Sequence, residues 1–60
     1  MTAKEAILRY RNDNVKTQME TAVEIGISPT TLNKIEHGKK PSFIVRCKIE
    51  KFMGCKIEEE

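Results

Sequence analysis

Cysteine is scarce in this chain: Cys47 and Cys55 are the only two. That falls far short of the density that staples small secreted scaffolds, and no apolar N-terminal run resembles a signal peptide, so a reducing, cytoplasmic setting is expected. No stretch approaches the roughly 18 uninterrupted apolar residues of a membrane-spanning helix, which implies a soluble protein with no membrane partner. Alternation of period two never lasts long enough to suggest a strand, and the β-branched residues are scattered among helix formers, so the expected class is all-α. There is no internal repeat, and no low-complexity segment beyond the terminal glutamates. With 60 residues, one small domain over 1–60 is expected, burying only about 60% of the surface its unfolded chain exposes. Little of such a core can be given over to a substrate cleft, so an enzyme is not expected.

What is present is charge. The charged fraction is 33% beside a hydrophobic fraction of 38%, which suits a globular domain with a heavily solvated surface. The net charge of +2 understates the basic character, because an acidic tail, 58–60, holds three of the nine acids; the other 57 residues carry +5. Seven basic residues fall between Lys34 and Lys56 against only Glu36 and Glu50. Such segregation points to a polyanionic partner or to a lysine-rich solvated face.

Start and stop signals divide the chain into four helices. Thr2 and Glu5 have capping-box spacing, so a first helix begins near Ala3, with Ala3, Ala6, Ile7, Leu8 and Tyr10 as its apolar members, and ends at Asn12-Asp13-Asn14. Thr17 and Glu20 repeat the spacing and open a short helix, Gln18 to Ile25, closed by Gly26. Ser28 caps a third helix with Pro29 in its first turn, stopping near Gly38, with Leu32 and Ile35 facing inward. After the basic loop Lys39-Lys40-Pro41, Ser42 caps a fourth helix, about Phe43 to Met53, ended by Gly54. Phe43, Cys47, Ile49 and Met53 are its expected core side, and Arg46 and Glu50 are spaced as an i,i+4 ion pair. Met19 and Met53 are expected to fill gaps, and Cys55 to Glu60 to form a turn and frayed tail.

The two short helices between Thr17 and His37, separated by little more than Gly26 and Ile27, have the spacing of a helix-turn-helix, about 17–37. A turn this tight crosses the axes steeply and needs a small residue at the contact, the part expected of Ala22, with Ile25, Ile27, Leu32 and Ile35 filling the angle. From Leu8 to Gly54, through TQMETAVEIGISPTTLNKIEHGKKPS and KIEKFMG, the sequence resembles the Cro/cI-like, or XRE-type, helix-turn-helix proteins. Leu8-Arg9, Thr17-Gln18, Ala22, Gly26-Ile27-Ser28, Leu32, Ile35-Glu36, Gly38 and Pro41-Ser42 all fall in register. The resemblance implies a four-helix, or reduced five-helix, lambda-repressor-like fold. It departs at Thr21, usually apolar in the family, at Arg46 and Glu50 on helix four, and in a loop after Gly38 about one residue short. Polar residues on helix four are explained if the fifth helix, which serves dimerisation in many relatives, is reduced or absent.

In such proteins the second helix of the motif enters the major groove of double-stranded DNA with its N-terminal residues at base edges. The corresponding face is Ser28, Pro29, Thr30, Thr31, Asn33 and Lys34. Asn33 suits an adenine edge, Lys34 the acceptors of guanine, Thr30 the thymine methyl and oxygen, and Pro29 apolar contact alone. Phosphate contacts are expected from Gln18 at a helix N-terminus, then Lys39 and Lys40, with Arg9, Arg11 and Lys16 as additions; Arg9 has a second, structural reading as a partner for Glu36. The expected function is a sequence-specific transcriptional regulator, repressor-like, binding an inverted repeat as a homodimer that forms in solution or only on DNA, with no cofactor. The alternative is a protein-binding module such as an antitoxin or anti-repressor adaptor, for which an apolar exposed recognition face would be the mark. Metal binding would rest on His37, Cys47 and Cys55, ten and eight residues apart with no Cys-x-x-Cys pair, and is not expected.

Overall fold

Four side chains start the four helices, each doing so by accepting a hydrogen bond from the backbone N–H three residues on. In the computed structural model, which describes residues 1–58, Thr2 opens α1 (Ala3–Asn14) and Thr17 opens α2 (Gln18–Ile25), both with the reciprocal Glu bond of a complete capping box. Ser28 opens α3 (Pro29–Glu36) and Ser42 opens α4 (Phe43–Met53). All regular structure among the described residues is helical. Of the acidic tail, Glu59 and Glu60 lie outside the described residues.

The inward stripe of α1 is Ala3, Ala6 and Ile7, continued by half-buried Tyr10 and Arg11 at the i+3 and i+4 positions of a helix face. Leu8 lies off that stripe and is exposed. Ala22 and Ile25 from α2, Leu32 and Ile35 from α3, and Ile49 from α4 complete the centre. Full burial of each of the large members, Ile7, Leu32, Ile35 and Ile49, contributes about 1.5–3 kcal/mol. The ring of Phe52 meets Tyr10 edge-on at 5.0 Å and joins α4 to α1.

Helix α4 corrects the sequence expectation. Its inward stripe is Val45, Ile49, Phe52 and Met53, spaced i, i+4, i+7 and i+8 as a 3.6-residue period demands. Phe43 and Cys47 sit on a different stripe and are exposed. Arg46 does not pair with Glu50; its guanidinium carbon stands 5.6 Å from the Phe43 ring centroid, while Glu50 accepts the backbone N–H of Ile57 at 2.9 Å. Met19 does not fill a gap, because its side of α2 faces outward and the residue is exposed.

The segment after Gly54 also differs from a frayed tail. Ile57 is buried in the core, and the backbone N–H of Glu58 donates to the carbonyl of Met1 at 2.9 Å. Ile57 thus extends the core beyond α4, and the backbone bond from Glu58 to Met1 ties the two ends of the described chain together.

Candidate nucleic-acid interface

The turn between α2 and α3 is a hydrogen-bonded unit rather than a loop. Gly26 adopts φ +91°, and its N–H and that of Ile27 both reach the carbonyl of Ala22, at 2.9 and 3.0 Å. This is a left-handed helix stop that glycine makes without steric cost. Ala22 is fully buried at the crossing, which leaves room for α3. The Ser28 hydroxyl then accepts the Thr31 N–H at 3.1 Å and donates to Thr31 Oγ1 at 2.8 Å. From outside the motif, the Lys48 ammonium on α4 donates to the carbonyl of Gly26 at 3.1 Å, a support that nothing in the spacing of the sequence announced.

A second lock fixes the far end of α3. Glu36 sits with its side chain only 8% exposed, and Arg11 Nη1 donates to both of its carboxylate oxygens at 2.6 and 2.7 Å. Arg11 Nε also reaches the Lys16 carbonyl at 3.3 Å, and Gln18 Nε2 donates to Glu36 Oε1 at 3.1 Å. One carboxylate therefore joins α1, the start of α2 and the end of α3. The structural partner of Glu36 is Arg11, not Arg9: Arg11 is four residues beyond Ile7 on the inward stripe, whereas Arg9 points to solvent and is exposed.

With both ends held, α3 turns one face outward. Thr30, Asn33, Lys34 and His37 are exposed and stand at i, i+3, i+4 and i+7, a single row opposite buried Leu32 and Ile35. Pro29 and Ser28 are exposed at its N-terminal end, while Thr31 is half-buried and its hydroxyl serves the cap. His37 extends the row; its Nδ1 lies 2.7 Å from the Asn33 carbonyl oxygen, an arrangement in which that nitrogen carries the proton. Its place four residues after Asn33 is the signal that could have added it to the set.

Of the residues considered for phosphate, Lys39 and Lys40 are exposed in the loop beside α3, where they and Lys34 line a shallow groove with Thr31 and Ser42. Gln18 spends an amide hydrogen on Glu36, although it still begins α2. Lys16 pairs with Glu24 at 3.3 Å, and this partner raises its pKa above the usual lysine range. Tyr10 donates to the same carboxylate at 2.7 Å; that bond holds Glu24 below the ordinary carboxyl range and pushes the Tyr10 phenol up. Among the described residues no group of three or more His, Cys, Asp or Glu side chains is placed to hold a metal ion, and no helix is long and apolar enough to cross a membrane.

The family model described as Helix-turn-helix matches residues 7–59, a span that includes both locks and the outward row. The chain belongs to the Cro/cI-like, XRE-type helix-turn-helix family. No curated protein and no solved structure matches it. As a member of this family it is a DNA-binding domain of the kind that regulates transcription, and its partner is double-stranded DNA. The sole departure of the helix-turn-helix from the family pattern, Thr21, is accommodated locally: it is fully buried, and its hydroxyl donates to the Thr17 carbonyl at 2.9 Å, so that hydroxyl is not left unpaired in the interior.

Proposed function

We propose that the protein is a repressor-like regulator that occupies an inverted-repeat operator as a homodimer, with α3 of each copy in the major groove. The observation that carries the reading is the exposed polar row Thr30, Asn33, Lys34 on a helix clamped at both ends. Clamping removes the ordering cost that a mobile reading helix would incur on binding. Asn33 reads an adenine edge, Lys34 donates to guanine, and Thr30 offers a hydroxyl and a methyl to thymine. Pro29 makes apolar contact only, while Ser28 and Thr31, whose hydroxyls serve the cap, shape the approach. Lys39 and Lys40 grip phosphate, the start of α2 at Gln18 presents its N–H groups to another, and Arg9 and Lys16 add long-range attraction.

One module of this size covers about half a site, so specific occupancy takes two copies about one helical turn apart. The polar character of the row favours DNA over the antitoxin or adaptor reading, which calls for an apolar face. Enrichment from a random duplex pool tests the whole reading: a two-fold symmetric motif is expected, and recovery of no motif at all contradicts it.

A further inference from the structure

We propose that His37 is a proton-dependent phosphate contact, so that binding of a DNA duplex takes up a proton at this imidazole and tightens as pH falls. The inference rests on the reading above, in which DNA covers α3, and adds a residue and a form of regulation to that surface. His37 is the single histidine of the chain and the C-cap of α3. It is exposed. It stands seven residues after Thr30, four after Asn33 and three after Lys34, on the side those residues turn outward.

One ring nitrogen is already committed. Nδ1 lies 2.7 Å from the Asn33 carbonyl oxygen, and a carbonyl only accepts, so Nδ1 keeps its hydrogen whether the ring is neutral or charged. The change of charge therefore falls on Nε2, across the ring, which has no hydrogen-bond partner among the described residues. Neutral, that nitrogen presents a lone pair, which a phosphate oxygen does not welcome; protonated, it is a charge-assisted donor. Position selects phosphate rather than a base. The N-terminal residues of a reading helix meet base edges, whereas His37 closes the other end of α3 and is followed, after Gly38, by the exposed Lys39 and Lys40.

The surroundings leave this proton as the variable one. Imidazole is the side chain that ordinarily changes charge between pH 5 and 8. The charged groups at this end of the molecule are Lys34 on α3, Lys39 and Lys40 beyond it, Arg11 from α1 paired with Glu36, and Lys16 paired with Glu24. The start of α2 adds only the neutral amide of Gln18, bonded to Glu36. Lysine, arginine and carboxylate side chains ordinarily hold their charge from pH 5.5 to 7.5. Because phosphate favours the charged imidazole, linkage makes affinity rise as pH falls, by at most about tenfold per pH unit for one proton. The lysines hold the protein on DNA throughout, and His37 adds grip on acidification.

The test titrates the full chain with the duplex enriched from the random pool and with a random duplex, at pH 5.5 and 7.5 and fixed ionic strength. Affinity for both should rise about fivefold per bound copy on acidification. The salt dependence should steepen by about one counterion per copy at pH 5.5, the mark of an added phosphate contact. His37→Gln, which carries no titratable group, should lose both changes, and His37→Lys should bind tightly at either pH. Calorimetry in two buffers of different ionisation heat should show net proton uptake by the parent and none by the two variants, while circular dichroism verifies that all three chains fold at both pH values. A parent affinity that does not respond to pH, or a response that His37→Gln retains, overturns the proposal and leaves the DNA reading standing. If the parent binds neither duplex at either pH, the functional reading itself fails and the proton-dependent contact falls with it.

Discussion

Val15 is the residue with the greatest local tension. It ends α1 at φ +51°, is 89% exposed, and is a β-branched residue in the left-handed region. It buries nothing in return for that conformation. Val15→Gly should therefore stabilise the fold by about 1 kcal/mol, read as a higher urea midpoint at unchanged slope; a loss of stability would mean that the valine makes a compensating contact. At the site, Asn33→Ala should cost roughly 1–3 kcal/mol on the selected sequence and relax base preference at one position. Lys39→Ala should weaken all duplexes alike and flatten the dependence of affinity on salt. Equal effects of the two variants on selected and random DNA would contradict this division between reading and gripping. Residue-level legibility was uneven for a physical reason. Arg9 and Arg11 are chemically the same, and only the continuation of the Ala3, Ile7 stripe distinguishes the arginine that meets Glu36 from the one that faces water.

At the scale of elements, the helices were legible because their boundaries are chemical. Thr2, Thr17, Ser28 and Ser42 each cap a helix as their spacing predicts, and Gly26 and Gly54 close α2 and α4. Less legible was which side of a short helix turns inward. On α4 the apolar residues Phe43, Ile44, Val45, Cys47, Ile49, Phe52 and Met53 surround much of the axis, so composition alone does not choose a face; packing against α1 and α2 selects Val45, Ile49, Phe52 and Met53. The burial of Ile57 depends on the empty corner those helices leave and on Glu50, which takes its N–H. The helix-turn-helix itself offers two element-level predictions. A Cβ at Gly26 would meet nothing within 4 Å, so Gly26→Ala tests the backbone conformation alone and should cost about 1 kcal/mol. Arg11→Ala leaves Glu36 in a site only 8% exposed with Gln18 as its remaining partner. It should cost about 2 kcal/mol, and it should weaken binding to the selected sequence more than to random DNA, since α3 loses its orientation while the lysines remain.

The whole molecule is small enough that each of these contributions matters. Ile57→Ala removes a core residue at the junction of both ends and should destabilise by about 2–3 kcal/mol, a large part of what a 60-residue domain possesses. Acid should act through three exposed carboxylates. The backbone N–H of Thr2 lowers Glu5, that of Thr17 lowers Glu20, and the Tyr10 hydroxyl lowers Glu24. Because their folded pKa values are depressed, their stabilisation is complete above the unfolded carboxyl value of about 4.3 and is lost as pH falls through the folded values. Tyr10 and Lys16, both raised by Glu24, behave oppositely: their contribution is complete below about 10 and is lost as pH rises beyond it. Urea midpoints measured across pH should show a plateau between these limits, and a continuous rise from pH 5 to 9 would contradict the assignment. The account as a whole depends on α3 being the surface that DNA covers. Titrating ¹⁵N-labelled protein with the enriched duplex tests this most directly. Amide shifts should concentrate at Thr30, Asn33, Lys34 and His37 and in the Lys39-Lys40 loop. Shifts confined to the outward side of α2 around Met19 and Val23, with α3 unmoved, would contradict it.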